Sequence, residues 1–257
     1  MIQRVKQVIH SIPGIGPGMR AIYRGVRRTP VLAFRRSDQY WEDRYCRGGN
    51  SGSGSYGRLA AFKAEVLNEF VAVHGITSVV EFGCGDGVQL RRACYPKYTG
   101  FDVSPTAVEF CRQAFAKKPG TEFFLCGSDE YDAFQPVDLA LSLDVIFHLV
   151  EDDIYEAYMR KLFRSARRYV IIYAYDCEKV YKARHERGRA FTGWIEQNEP
   201  KWRLCRRVAN RYPFDPRTPD STSQADFFMY ERCPTSLGVP CDGGDVSEKS
   251  SMGCCDV

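Results

Sequence analysis

The chain has 257 residues, 44% hydrophobic, 13% aromatic and 26% charged, with a mean hydropathy of −0.37. That composition excludes disordered, collagen-like and membrane-spanning classes, and the length suffices for one large α/β domain or two small ones. The net charge is +4, but its distribution is uneven. Residues 1–36 carry eight basic side chains (Arg4, Lys6, Arg20, Arg24, Arg27, Arg28, Arg35, Arg36) and no acid, so the remainder is net acidic.

In chain order, Ile2, Val5, Val8, Ile9 and Ile12 stand at helical spacing among Arg4, Lys6, Gln7 and His10, until Pro13-Gly14 breaks the pattern. A basic amphipathic segment of this kind docks on a membrane surface or an acidic protein partner, or packs on its own domain or a neighbouring subunit. One short segment with two or three charges binds a bilayer only marginally, which favours packing. Residues 1–36 are therefore expected to form a basic arm, with residues 37–233 as one domain. That domain opens with Tyr40-Trp41-Glu42-Asp43-Arg44-Tyr45 and the run Gly48-Gly49-Asn50-Ser51-Gly52-Ser53-Gly54-Ser55. A flexible run beside aromatics suits a lid over 37–57 or a plain linker.

A helix is predicted at about 58–74 from the stripe Leu59, Phe62, Val66, Phe70 and Val73, ending at Gly75. Strand and helix then alternate. Strands are expected at 78–82, 98–102, 122–126, 137–144 and 169–175. Helices are expected at 88–94, at 104–117 behind an N-cap Ser104-Pro105, and at 151–166, opening with three acids. A short helix near 192–198 precedes two last strands, 202–208 and 227–232. Strands separated by helices imply a parallel sheet covered on both faces. The last two strands have no helix between them, so one of them is expected to run antiparallel. Residues 234–257, rich in Gly, Ser, Asp and Cys without periodicity, read as a disordered tail. Eleven cysteines without a single C-x-x-C give neither a zinc site nor a secreted disulfide framework, and no signal-peptide pattern opens the chain. A cytoplasmic location is the expectation.

The strongest chemical signal is Val79-Val80-Glu81-Phe82-Gly83-Cys84-Gly85-Asp86-Gly87. A strand enters three glycines at alternate positions, where positive φ and bare backbone let a ligand lie close. The spacing G-x-G-x-G differs from the G-x-G-x-x-G of nicotinamide and flavin enzymes. Glu81 stands at the strand end, a costly place for an unpaired acid. Asp102 ends the next strand, where a carboxylate can hold both hydroxyls of a ribose.

These residues resemble the class I S-adenosylmethionine-dependent methyltransferases. Residues 81–87 match their first motif and Gly100-Phe101-Asp102-Val103-Ser104 their second. The segment from Asp138 to Leu149 is similar to strand four of their small-molecule branch, and Ala225 to Arg232 to their closing strand. The resemblance, over residues 40–232, implies an α/β Rossmann-like seven-stranded sheet of order 3-2-1-4-5-7-6, strand seven antiparallel, with helices on both faces. It implies S-adenosyl-L-methionine as cofactor, held at its methionine end by Glu81 and the backbone of Gly83, Cys84, Gly85, Asp86 and Gly87. Asp102 would take the ribose, Val103 would flank the adenine, and Ser128 and Asp129 would face its amino group. Leu143 and Asp144 would lie beside the sulfonium, under a lid formed by Tyr40, Trp41 and the Gly/Ser run.

An amine acceptor needs only its lone pair, whereas a hydroxyl gains from a general base near pH 7. Of four histidines, His148 sits closest to the cofactor rim and is the base candidate, against a plainer role as a helix-entry histidine bonded to backbone. Tyr173, Tyr175 and His185 stand at or after strand five, where acceptor loops lie. Arg184, Arg187, Arg189 and Arg211 could grip an anion or simply be solvated. The Leu-Ser-Leu-Asp segment lacks the Asp/Asn-Pro-Pro-Tyr type of enzymes that methylate nucleobases or glutamine amides, and the acidic core argues against a nucleic-acid groove, although the basic arm alone could bind RNA or DNA. Asp138, Asp144, Asp152 and Asp153 do not converge by strand alternation, so no metal site is expected. O-methylation of a sugar or glycan intermediate is the favoured reading. An N-methyltransferase of a small amine, a nicotinamide-dependent oxidoreductase and a non-catalytic scaffold remain the alternatives.

Overall fold

The structure, a computed structural model, describes residues 34, 36–181 and 183–234. The expectations for the basic arm and for the tail fall almost wholly outside these residues. The chain divides at Arg35/Arg36, and only the described residues from Arg36 onward are taken up below.

Seven strands form one sheet. They are β1 (Val79–Phe82), β2 (Tyr98–Asp102), β3 (Thr121–Leu125), β4 (Val137–Leu143), β5 (Ala166–Ala174), β8 (Trp202–Val208) and β9 (Asp226–Arg232). Their order is β3-β2-β1-β4-β5-β9-β8. The first five run parallel, and β9 is antiparallel to both β5 and β8. With the two-residue hairpin strands β6 (Lys179–Val180) and β7 (Arg187–Gly188) set aside, this is the expected order.

Central strands of a sheet covered on both faces need apolar residues at every position. β1 is buried throughout, and alternate residues of β5 and β9 feed two cores. Ile171, Tyr173, Phe227 and Met229 join Leu67 and Phe70 on one face. Val170, Ile172, Phe228 and Tyr230 join Met159 and Phe163 on the other. The period of two along each strand produces this division. Edge strand β8 instead exposes Arg203 to Arg207, charges that discourage a further strand from pairing there.

The helices are α1 (Ser37–Cys46), α2 (Gly57–Val73), α3 (Pro105–Ala114), α4 (Asp129–Asp132), α5 (Asp152–Arg164) and α6 (Phe191–Asn198). α3 begins as expected, with Ser104 Oγ accepting from the Ala107 N–H. α5 places Asp152 and Asp153 in its first turn and Lys161 and Arg164 in its last, matching the helix dipole. One expected helix is corrected: 88–94 is only a 3-10 turn, Gln89–Arg92. The Asn68 side chain donates to the Arg92 carbonyl and accepts from the Cys94 N–H, which ends the turn before a helix can propagate. Among the described residues no helix is long and apolar enough to cross a membrane.

The order places β1 between β2 and β4. Their carboxyl ends therefore open a crevice where the chain reverses its direction across the sheet. The loops leaving these three strands form the site.

Candidate active site

The loop after β1 is fastened to β2. Phe101 carbonyl oxygen accepts from the Gly83 N–H at 2.7 Å and the Cys84 N–H at 3.1 Å. Gly83, Gly85 and Gly87 all have positive φ, which side chains rarely adopt. A Cβ on Gly83 would run into Val145, and one on Gly85 would run into Ser51 Oγ and stand 2.9 Å from Tyr45 Oη. Asp102, at the end of β2, accepts from the Gly85 N–H at 2.8 Å and the Ser104 N–H at 2.9 Å, one to each oxygen. Burial pushes this carboxyl up to about 6 despite those bonds. Glu81 is also buried, accepts from Tyr98 Oη at 2.7 Å, and is pushed up by burial to about 7.

α1 and the run that follows it roof this loop. Glu42 accepts from Thr106 Oγ1 (2.7 Å), the Thr106 N–H (3.2 Å), Ser104 Oγ and Cys46 Sγ. Burial raises the Glu42 carboxyl, but the bonds from Cys46, Ser104 and Thr106 outweigh it and hold it at about 2. The carboxylate thereby caps α3. At the other end of α1, Ser37 donates its N–H and its Oγ–H to the two oxygens of Glu151, the N-cap residue of α5. Arg44 joins the helix to the run, donating to the Asn50 carbonyl at 2.7 Å while lying over the Trp41 ring. Asp86 completes the closure. Its carboxylate accepts from the Ser51 N–H and Tyr56 Oη, and its own N–H donates to Ser51 Oγ.

Beneath this roof lies a cavity lined by Ser37, Asp38, Trp41, Tyr45, Ser51, Ser55, Gly83, Gly85, Asp102, Val103, Cys126, Leu143, Asp144, Val145, His148, Leu149, Ile154 and Tyr158. A second cleft is lined by Trp41, Arg44, residues 50–54, Leu59, Asp144, Phe147, His148, His185, Glu186, Asp220, Thr222 and Ser223. Trp41, Ser51, Asp144 and His148 belong to both linings. His148 is held edge-on to Trp41, with ring centroids 4.9 Å apart. Its Nδ1 lies 3.1 Å from the His185 carbonyl oxygen. Burial lowers the His148 pKa to about 4, so the ring is neutral at pH 7.

Residues 79–168 match the family described as "Methyltransferase domain". This stretch of the chain is a methyltransferase domain. Solved structures of similar fold include the N-methyltransferase NodS from Bradyrhizobium japonicum WM9 in complex with S-adenosyl-L-homocysteine. It shares 14% identity over 78% of this chain and 100% of its own, with a TM-score of 0.57. The magnesium protoporphyrin IX methyltransferase from Synechocystis PCC 6803 with bound SAM gives 16%, 79%, 100% and 0.53 for the same quantities. The mitomycin 7-O-methyltransferase MmcR gives 11%, 84%, 66% and 0.51. At these identities the likeness concerns the fold. No curated protein matches the chain by sequence.

The residues of the methyltransferase fit its cofactor. Each Asp102 oxygen accepts one of the Gly85 and Ser104 N–H groups and keeps lone-pair capacity for a ribose hydroxyl. Val103, two-fifths exposed, offers an apolar flank, and Leu143 and Asp144 line the same cavity. Among the other expected cofactor residues, Gly83 and Gly85 line the cavity, whereas Glu81, Cys84 and Asp86 do not. Glu81 sits within the sheet on Tyr98, Cys84 is buried, and Asp86 latches the roof. Asp129 is turned outward, because Ser128 caps α4 and makes Asp129 an exposed first-turn acid; Cys126 walls the cavity instead.

The expected acceptor residues divide. His185 lines the second cleft, and Tyr40 stacks on it with centroids 4.3 Å apart. Tyr173 is buried core, accepting from Asn210 Nδ2, while Tyr175 lies beyond the end of β5 and stacks on Phe147. Strand alternation therefore does not put these two tyrosines on one face. Arg187 is engaged by Asp152 and Glu178, and Arg211 by Glu65. Arg189 holds the Leu149 and Val150 carbonyls. These arginines fasten loops and do not line the cleft. Two residues escaped the sequence reading: Tyr158, which lines the cavity and bonds the Phe82 carbonyl and Ser142, and the fully buried Lys63.

Proposed function

We propose that the methyltransferase transfers its methyl group to a hydroxyl of a small polyhydroxylated acceptor, a sugar or glycan intermediate, with His148 as general base. The observation that carries this reading is the His148 contact to the His185 carbonyl. A carbonyl only accepts, so Nδ1 bears the hydrogen and Nε2 keeps its lone pair. The same ring lines both the cofactor cavity and the second cleft.

The bound cofactor supplies a methyl group already activated on a sulfonium sulfur. The surrounding residues hold an acceptor near it and exclude water. His148 Nε2 takes the hydroxyl proton as the oxygen–carbon bond forms and the carbon–sulfur bond breaks, with S-adenosylhomocysteine as leaving group. A base held near 4 does not pre-ionise an alcohol. It receives the proton once bond formation has made that proton strongly acidic, and so a neutral imidazole suffices. The lining of the second cleft supports the acceptor class. Trp41, Phe147 and His185 offer rings for the apolar C–H faces of a sugar, and Arg44, Asn50, Glu186, Asp220 and Thr222 offer polar groups for its hydroxyls.

The test is mass spectrometry of methyl glycosides and nucleotide sugars incubated with methyl-labelled cofactor. H148Q is expected to lower turnover ~100-fold or more with S-adenosylhomocysteine affinity unchanged; full turnover by H148Q overturns the base assignment. The second reading, an amine acceptor, draws on three carboxylates in the same cleft, Asp144, Glu186 and Asp220. It predicts an N-methyl product and little effect of H148Q.

A further inference from the structure

Lys63 belongs to the middle of α2 and is 1% exposed. Its Nζ lies 2.6 Å from Asp144 Oδ2 and 5.2 Å from the centre of the Tyr173 ring. A buried ion pair is seldom a net source of stability, since desolvating both charges offsets their attraction. Asp144 is itself unusual. It is the only non-glycine among the described residues with positive φ, at 59°. Its N–H donates to the Tyr173 carbonyl and so prolongs the β4–β5 ladder by one bond beyond β4. Gly54 leaves room for the carboxylate, because a Cβ there would stand 2.9 Å from Oδ2.

Three costs, a desolvated lysine, a left-handed aspartate and a glycine in the roof, thus converge on one carboxylate where the two cavities meet. Only Oδ2 is hydrogen-bonded among the described residues; Oδ1 keeps its lone pairs. The neighbouring base candidate, His148, lines both cavities as well. We infer that Asp144 orients the acceptor by taking a hydrogen bond from a second donor on it, and that Lys63 is the positioning residue that fixes this carboxylate. The inference rests on the reading of the second cleft as the acceptor site. It departs from the expectation that Asp144 serves the cofactor.

Removing one partner strands the other charge, so the decisive variants are neutral pairs. K63M/D144G removes both charges and places glycine where φ is positive; K63M/D144N keeps an accepting oxygen. S-adenosylhomocysteine affinity is measured by calorimetry. Initial rates are measured on whichever member of a panel of methyl glycosides, nucleotide sugars and simple amines the unaltered enzyme methylates fastest. K63M/D144G is expected to bind S-adenosylhomocysteine within about threefold of the unaltered enzyme while acceptor KM rises ~10- to 100-fold. K63M/D144N should recover part of that loss, which a purely structural pair would not produce. Unchanged acceptor KM overturns the inference, as does a tenfold or greater loss of S-adenosylhomocysteine affinity. An N-methyl product or an active H148Q would instead overturn the hydroxyl reading, and the KM comparison would still report on Asp144.

Discussion

Asp102 shows how one buried carboxyl ties binding to pH. Burial raises it to about 6, and the Gly85 and Ser104 N–H groups oppose that rise without cancelling it. The ionised form offers lone pairs to a ribose diol, and protonation removes one acceptor site. S-adenosylhomocysteine affinity should therefore fall as pH is lowered through about 6. D102N should bind at least ~10-fold more weakly at pH 7.5 and lose that pH dependence, measured by calorimetry across pH 5–8. Local pattern made most of this site readable. Gly83, Gly85, Asp102, Val103, Leu143, Asp144 and His148 all stand at or soon after the end of a strand, and a strand end in a parallel sheet has a predictable place. Lys63 and Tyr158 reach the site from helices, and in sequence both lie within amphipathic stripes that give no sign of a polar role.

α1 is fastened at its start and its middle. Glu42 holds it to the start of α3 and Ser37 to the start of α5, while few of its own residues are buried. That explains why the Gly/Ser run and its aromatics suggested a lid although the segment lacks the apolar periodicity that marks a helix. Its stability comes from hydrogen bonds to residues 64 and 114 positions away, which no local window contains. Replacing Glu42 by Ala removes the clasp on α3 and should ease local opening of α1 by about 1–3 kcal/mol. Amide exchange over residues 37–46 should accelerate accordingly, while the β4 and β5 amides keep their protection. Uniform acceleration across both regions would mean that α1 opens only when the whole domain does. The turn at Gln89–Arg92 shows the same limit in reverse: its residues favour a helix locally, and Asn68 of α2 stops it.

At the level of the molecule, the sheet was the most readable feature, because continuous apolar strands leave little choice but burial on both faces. The absent helix between the last two strands foretold that one of them is reversed, and that one is β9. The β6–β7 hairpin was not foreseen, since two residues per strand carry no period, and Arg187 and Arg189 tie it to Asp152 and Leu149, outside its own segment. A ligand that engages β1, β2 and β4 together should stabilise the whole unit. At about 100 times its Kd, S-adenosylhomocysteine adds about 2.7 kcal/mol, a rise of about 5–10 °C in Tm for a domain of this size. NADH at the same concentration should leave the transition where it was in scanning calorimetry. A matching rise with NADH would contradict the cofactor assignment.

Gly85 has neighbours above it as well as a cavity beside it. The Ser51 hydroxyl and Tyr45 ring occupy the space its side chain would fill. Positions 45, 51 and 85 are therefore not free to vary one at a time. A larger residue at 85 needs a smaller one at 51 and room made at 45, and even then the backbone conformation at 85 penalises it. Substitutions that look independent along the chain would have to arrive together.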